Sequence, residues 1–188
     1  MKHGNLMTRT GLLVAALTGA AGPAAAQDFH LSAGFGGSRF NVVCDGAGPC
    51  DKGATGWRLA AGWQANPNWG AEALYLSAGD FKAAGNNVAG DAKASGYGLA
   101  GTYRLPLDKN IALLARLGVA RMKGEFTPTT SGASGSSQTT TQPLVGLSLQ
   151  YDFSQTLGAR LDWDATRARM ANDAGSLNLV SASLLLRF

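Results

Sequence analysis

Beyond residue 27 apolar side chains alternate with polar or small ones along most of the chain. A two-residue period marks strands with one oily face. Trp57, Leu59, Ala61 and Trp63 share a face, as do Trp69, Ala71, Ala73 and Tyr75. Tyr97, Leu99, Gly101 and Tyr103 follow, then Leu113, Ala115, Leu117 and Val119. Leu147, Leu149, Tyr151 and Phe153, and Leu157, Ala159, Leu161 and Trp163, make two more. The last strand sets Val180, Ala182, Leu184, Leu186 and Phe188 against Ser181, Ser183 and Arg187, with Leu185 the apolar exception. The pattern predicts strands near 28–40, 54–65, 69–78, 94–105, 111–123, 143–153, 157–167 and 177–188. Short turns at 66–68, 106–110 and 154–156 alternate with long loops at 41–53, 79–93, 124–142 and 168–176. Strict alternation places both termini on one side of an all-β, eight-stranded, antiparallel up-and-down sheet. A terminal strand with an uncovered edge invites aggregation, and closing the sheet into a barrel gives it a partner.

Two barrels fit that count, a soluble lipocalin-type one and a transmembrane one. A soluble barrel turns its oily face inward and needs no short-long alternation. Here the apolar faces carry no charge, and their aromatics gather at strand ends. Trp63, Trp69, Tyr103, Phe153 and Phe188 lie toward the short turns, and Trp57, Tyr97 and Trp163 toward the long loops. Two aromatic girdles around an apolar band are the mark of a membrane-spanning barrel. No stretch after residue 26 reaches the ~18 apolar residues a membrane helix needs.

The opposite faces hold Arg58, Glu72, Arg104, Arg116, Asp152, Arg160, Asp162, Asp164 and Arg187, among small residues such as Gly34, Gly62, Gly98, Gly146 and Ser148. Eight strands leave a bore that side chains roughly fill. Charges there must pair or meet water. The expectation is a plug of ion pairs and trapped water built from Arg58, Glu72, Arg104, Arg116, Arg160 and Asp162. Glu72 with Arg58, Arg104, Arg116 or Arg160 is the predicted central pair. A gate that re-pairs to admit ions is the alternative.

The N-terminus says where the barrel is delivered. Lys2 and Arg9 precede the apolar run Leu12–Leu17, and Ala24-Ala25-Ala26 offers a small-residue cleavage site before Gln27. Residues 1–26 therefore read as a cleaved signal peptide and 27–188 as one barrel domain. A membrane anchor is the competing reading, against which stand the shortness of the run and its breaks at Gly19, Gly22 and Pro23. The full chain has 188 residues, with 16 Lys and Arg against 12 Asp and Glu, a net charge of +4. Removing 1–26 takes away Lys2 and Arg9, leaving 14 against 12, or +2, over 162 residues. That charge is no argument for nucleic-acid binding. Cys44 and Cys50 flank turn-forming Asp45, Gly46, Gly48 and Pro49. In an exported chain such a pair is expected to form a local disulfide. A metal site is the alternative, and His30 is the one histidine beyond residue 26 to support it. No cofactor is expected.

The segment Asn66-Pro67-Asn68-Trp69-Gly70-Ala71-Glu72-Ala73-Leu74-Tyr75 resembles the second hairpin of OmpA-like outer-membrane barrels. Leu113–Ala120, Gln150-Tyr151-Asp152-Phe153 and Leu157–Trp163 are similar to its later strands. The ending Leu186-Arg187-Phe188 looks like the C-terminal signal read by the barrel assembly machinery. The resemblance implies an eight-stranded barrel in the outer membrane of a Gram-negative cell. Its implied neighbours are outer-membrane lipids, including lipopolysaccharide, and the assembly machinery acting on Phe188. Many members carry a peptidoglycan-binding domain after the barrel. No such domain follows here, so wall tethering through one is not expected.

Some small outer-membrane barrels are enzymes. His30 and Ser32 share a strand face and superficially resemble the His-x-Ser pair of lipid A deacylases. Their place on the first strand, inward and at the periplasmic end, argues against lipid chemistry. His30 reads better as a solvated or packed strand-start residue. Residues 127–142, rich in Thr, Ser, Gly and Gln, and residues 79–93 read as solvated external loops. Loops on a rigid scaffold suit an extracellular ligand. Three functions follow: a structural or surface-interaction barrel, a low-conductance pore, or a lipid-modifying enzyme.

Overall fold

The computed structural model describes residues 28–41, 53–85, 88–128, 135–170 and 173–188. They form β1 (Asp28–Asn41), β2 (Gly53–Gln64), β3 (Trp69–Gly85), β4 (Val88–Pro106), β5 (Ile111–Pro128), β6 (Ser136–Asp152), β7 (Leu157–Met170) and β8 (Asp173–Arg187). All neighbours are antiparallel, and β8 pairs with β1 to close a barrel. Residues 1–26, Cys44 and Cys50 lie outside the described residues.

The registers fix the barrel's shape. Paired positions lead once round from Phe29 through Trp63, Ala71, Gly101, Leu117, Val145, Ala165 and Asn178. The path returns to β1 at Arg39, ten residues beyond its start. Such a stagger over eight strands requires them to tilt, by about 35–45°.

Three tight turns close one end. Asn66 Oδ1 accepts the N–H groups of Asn68 and Trp69 at 3.0 and 2.9 Å. Ser154 Oγ accepts the N–H of Leu157 at 3.0 Å, and Asp108 Oδ1 that of Lys109 at 2.7 Å. Short polar side chains that capture nearby backbone donors are what such turns demand.

The outward faces are those the alternation marks. Phe35 and Leu117 are 73% and 71% exposed, and the apolar surface runs unbroken around the belt. Water would not tolerate such a surface, and hydrocarbon does. The girdles are packed as well as placed. Trp57 stacks on Tyr75 at 5.1 Å, and Trp69 meets Tyr103 edge-on at 4.8 Å.

The loops differ from expectation. Residues 79–93 and 124–142 are mostly strand: β3 and β4 pair out to Gly85 opposite Val88, and β5 and β6 to Phe126 opposite Ser136. β7 and β8 likewise pair out to Met170 opposite Asp173. Composition suggested loops, but the Thr run of 139–141 is strand-forming, and burial still alternates along 90–94 and 120–124. Ala92, Ala94 and Met122 all point inward and are buried.

A bulge adjusts the β3–β4 hairpin. Its register shifts between Ser77 and Asp80, where Gly79 has φ +80°. The extra residue reverses the parity of the strand. Asp80 consequently turns outward to Lys93, at 3.1 Å, and Phe81 turns into the interior.

Candidate functional site

The candidate site is the barrel interior, which is built in storeys. At the turn end Asp152 is shared by Arg187 and Arg104, at 2.5 and 3.4 Å. Gln150 Nε2 also donates to Asp152, at 2.9 Å. This mouth is part-exposed.

The next storey is sealed. Glu72 meets Arg160 at 2.7 Å, Arg116 at 3.3 Å, Arg58 at 3.8 Å and the His30 Nε2 at 2.9 Å. Asp162 meets Arg58 at 2.7 Å, Arg116 at 3.1 Å and Arg160 at 3.3 Å. It also accepts the hydroxyls of Ser148 and Ser183 at 2.5 and 2.7 Å. Asp164 completes the set, 3.0 Å from Arg116 and 3.2 Å from Arg58. The carboxylates and guanidiniums of this storey have no exposed side-chain surface. Three arginines face three carboxylates, so the storey is neutral when His30 is neutral. Arg58 forms ion pairs with its acids but no hydrogen bond among the described residues.

Glycine makes room for these contacts. His30, Gly62 and Glu72 form one row across β1, β2 and β3. A Cβ on Gly62 would stand 2.2 Å from the imidazole. Arg116, Gly146 and Asp164 repeat the device across β5, β6 and β7. A Cβ on Gly146 would stand 2.6 Å from the Asp164 carboxylate. In both rows a polar side chain crosses the middle strand where that strand has no side chain.

Of the six residues expected to form the plug, Arg58, Glu72, Arg116, Arg160 and Asp162 lie in the sealed storey. Arg104 does not; it belongs to the mouth with Asp152. His30 joins Glu72, a partnership the sequence reading did not draw. The clue is an inward histidine followed, on the next strand, by an inward glycine.

The outer interior corrects the expectation of a polar bore. Above Glu72 the inward side chains are mostly apolar: Phe40, Leu74, Leu76, Phe81, Met122, Leu144, Leu177 and Leu179, with alanines and the buried hydroxyls of Ser38 and Thr166 between them. The rings of Phe40 and Phe81 are 5.9 Å apart. The parity that sets Trp69 and Tyr75 outward already places Leu74 and Leu76 inward.

His30 and Ser32 both point inward, but no hydrogen bond joins them. The imidazole is held by Glu72, and Ser32 Oγ has no hydrogen-bond partner among the described residues. A serine nucleophile needs its base in contact. Phe188 is 73% exposed on the outward face, and its N–H donates to the Phe29 carbonyl at 2.9 Å.

Residues 12–188 match the model of the outer membrane protein beta-barrel domain. A search of curated proteins returns no match. Among solved structures the fold is similar to the attachment invasion locus protein Ail of Yersinia pestis, at TM-score 0.58 and 18% identity, covering 86% of this chain and 99% of that one. It is similar to Neisserial surface protein A at TM-score 0.63 and 15% identity, covering 85% and 97%. It is also similar to the N-terminal barrel of Pseudomonas aeruginosa OprF, at TM-score 0.53 and 14% identity, covering 86% and 97%. The chain thus belongs to the outer membrane protein beta-barrel domain family, as an eight-stranded barrel of the outer membrane.

Proposed function

We propose that this protein is a non-conducting barrel that stabilises the envelope and presents a surface for interaction outside the cell. The observation that carries this reading is the stacking of two different seals, a buried ion-paired storey and an apolar one above it. An ion passing through would have to break several buried pairs and then cross a mostly apolar layer, and both steps are costly. Function is then left to the surface. The extracellular ends of the strands carry the exposed cations Arg39, Arg121 and Arg167, which suit an acidic ligand. Ail has been crystallised with the heparin analogue sucrose octasulfate, which supports a polyanionic partner here. The same cations lie just beyond the outer girdle, where they suit the phosphates of lipopolysaccharide. On this reading residues 1–26 direct export, Cys44 and Cys50 close a disulfide, and Phe188 is read by the assembly machinery.

Planar-bilayer recording of the refolded protein is the test. Baseline current across the physiological voltage range is expected. Discrete openings would replace this reading with the pore. The enzyme reading makes a different forecast, altered lipid A on overexpression.

A further inference from the structure

Beyond the membrane belt the barrel wall is interrupted between β6 and β7. β6 keeps β5 as its partner out to Ser136, opposite Phe126. Its ladder with β7 ends at Val145, opposite Ala165. β7 continues with β8 alone, as far as Met170 opposite Asp173. Among the described residues no ladder therefore joins 136–143 of β6 to 166–170 of β7.

The base of this slit gives its direction. The Thr166 hydroxyl donates to the Pro143 carbonyl at 2.9 Å, so that carbonyl faces β7. In an antiparallel strand both backbone groups of one residue point to one side, and those of the next residue to the other. The N–H and C=O groups of Thr141, Thr139 and Ser137 therefore face the slit as well. Pro143 has no N–H with which to extend the β7 ladder. Exposed edges are usually blunted by charge, yet Ser136–Gln142 carries none.

We propose that this edge accepts an extended acidic segment of another polypeptide as an added strand. Backbone pairing supplies the affinity, as in other strand-addition sites. Flanking charge supplies the choice of partner. Arg121 lies outward on β5 opposite Thr141, and Arg167 outward on β7 across the slit; both are exposed, with no ion pair among the described residues. Lys123, the next cation on β5, is already held by Glu125. A strand in the slit would carry its outward side chains between Arg121 and Arg167. A second copy in the same membrane does not fit. Symmetry about the membrane normal would make two edges, each tilted about 40°, cross at about 80° rather than run antiparallel.

The proposal rests on the surface-interaction reading, and its test separates the two. The full chain, refolded in nanodiscs, is titrated with a fluorescent heptapeptide alternating threonine and glutamate. Binding is expected, with the amides of Ser137, Thr139 and Thr141 fast-exchanging in the free protein and protected in the complex. Thr139→Pro removes one slit-facing donor and should weaken binding about tenfold, with heat-modifiable migration of the barrel retained. Arg121→Glu should weaken it similarly and favour a threonine–lysine peptide instead. Absence of binding overturns the proposal, as does protection of those amides before peptide is added. Binding that is unchanged in Thr139→Pro also overturns it, and points to a sulfated sugar or other polyanion held by charge alone. A conducting barrel would sink the broader reading, whereas lost peptide binding in a silent barrel sinks only the strand edge.

Discussion

Glu72 is the residue on which the sealed storey turns. It is fully buried and faces Arg58, Arg116, Arg160 and His30. Removing its charge leaves an excess of buried positive charge, because Asp162 and Asp164 then face three arginines alone. Loss of one partner from a buried charge cluster costs about 3–5 kcal/mol. Glu72→Gln should therefore lower the urea midpoint of the barrel in lipid vesicles by a clear margin. His30→Ala loses one hydrogen bond, worth about 1 kcal/mol, and should lower it much less. Equal midpoints for Glu72→Gln and the parent would contradict the account of the storey. The burial of Glu72 and the three arginines was legible in the sequence, since strand parity alone turns them inward. The His30 contact was not, because it depends on a register across three strands and on the space above Gly62.

At the scale of elements, the eight strands were legible and their outer limits were not. Alternation across 57–63 or 97–103 combines strong apolar residues with aromatics, so the period stands out. Further out, Ala89, Gly90 and Ala92 on β4 and Thr139, Thr140 and Thr141 on β6 blur it, and composition then suggested a loop. The Gly79 bulge compounded the difficulty by reversing parity in mid-strand. Its backbone, at φ +80°, lies where side chains are strained, and a Cβ there would stand 2.2 Å from the Thr55 carbonyl. Gly79→Val should cost about 1–3 kcal/mol locally. Phe81 would lose its inward place, and amides of the outer β3–β4 hairpin should exchange faster. Amides in the belt, such as Leu59 and Leu99, should keep their protection. Uniform loss of protection throughout would mean that the bulge supports the whole barrel rather than its outer hairpin.

For the whole molecule, the lipid-facing belt and the inner charges were both readable, but the order of the two inner layers was not. Strand parity separates inside from outside; height within the bore depends on the ten-residue stagger, which only pairing reveals. That order has a consequence for transport. The ionic and apolar layers lie in series, so either one intact should block current. Phe40→Ala with Phe81→Ala would open space in the outer layer and leave the ionic storey whole. Arg58→Ser with Asp164→Ser would thin the ionic storey and keep it balanced, with Arg116 and Arg160 facing Glu72 and Asp162. Replacing a buried ion pair as a unit is tolerated far better than breaking it, so this second pair should still fold. Each double variant alone is expected to stay at baseline in planar-bilayer recording, and the fourfold variant to show discrete openings. Current through either double variant would mean that one layer carries the whole barrier. Continued silence in a folded fourfold variant would show that the remaining side chains fill the bore without either layer's help.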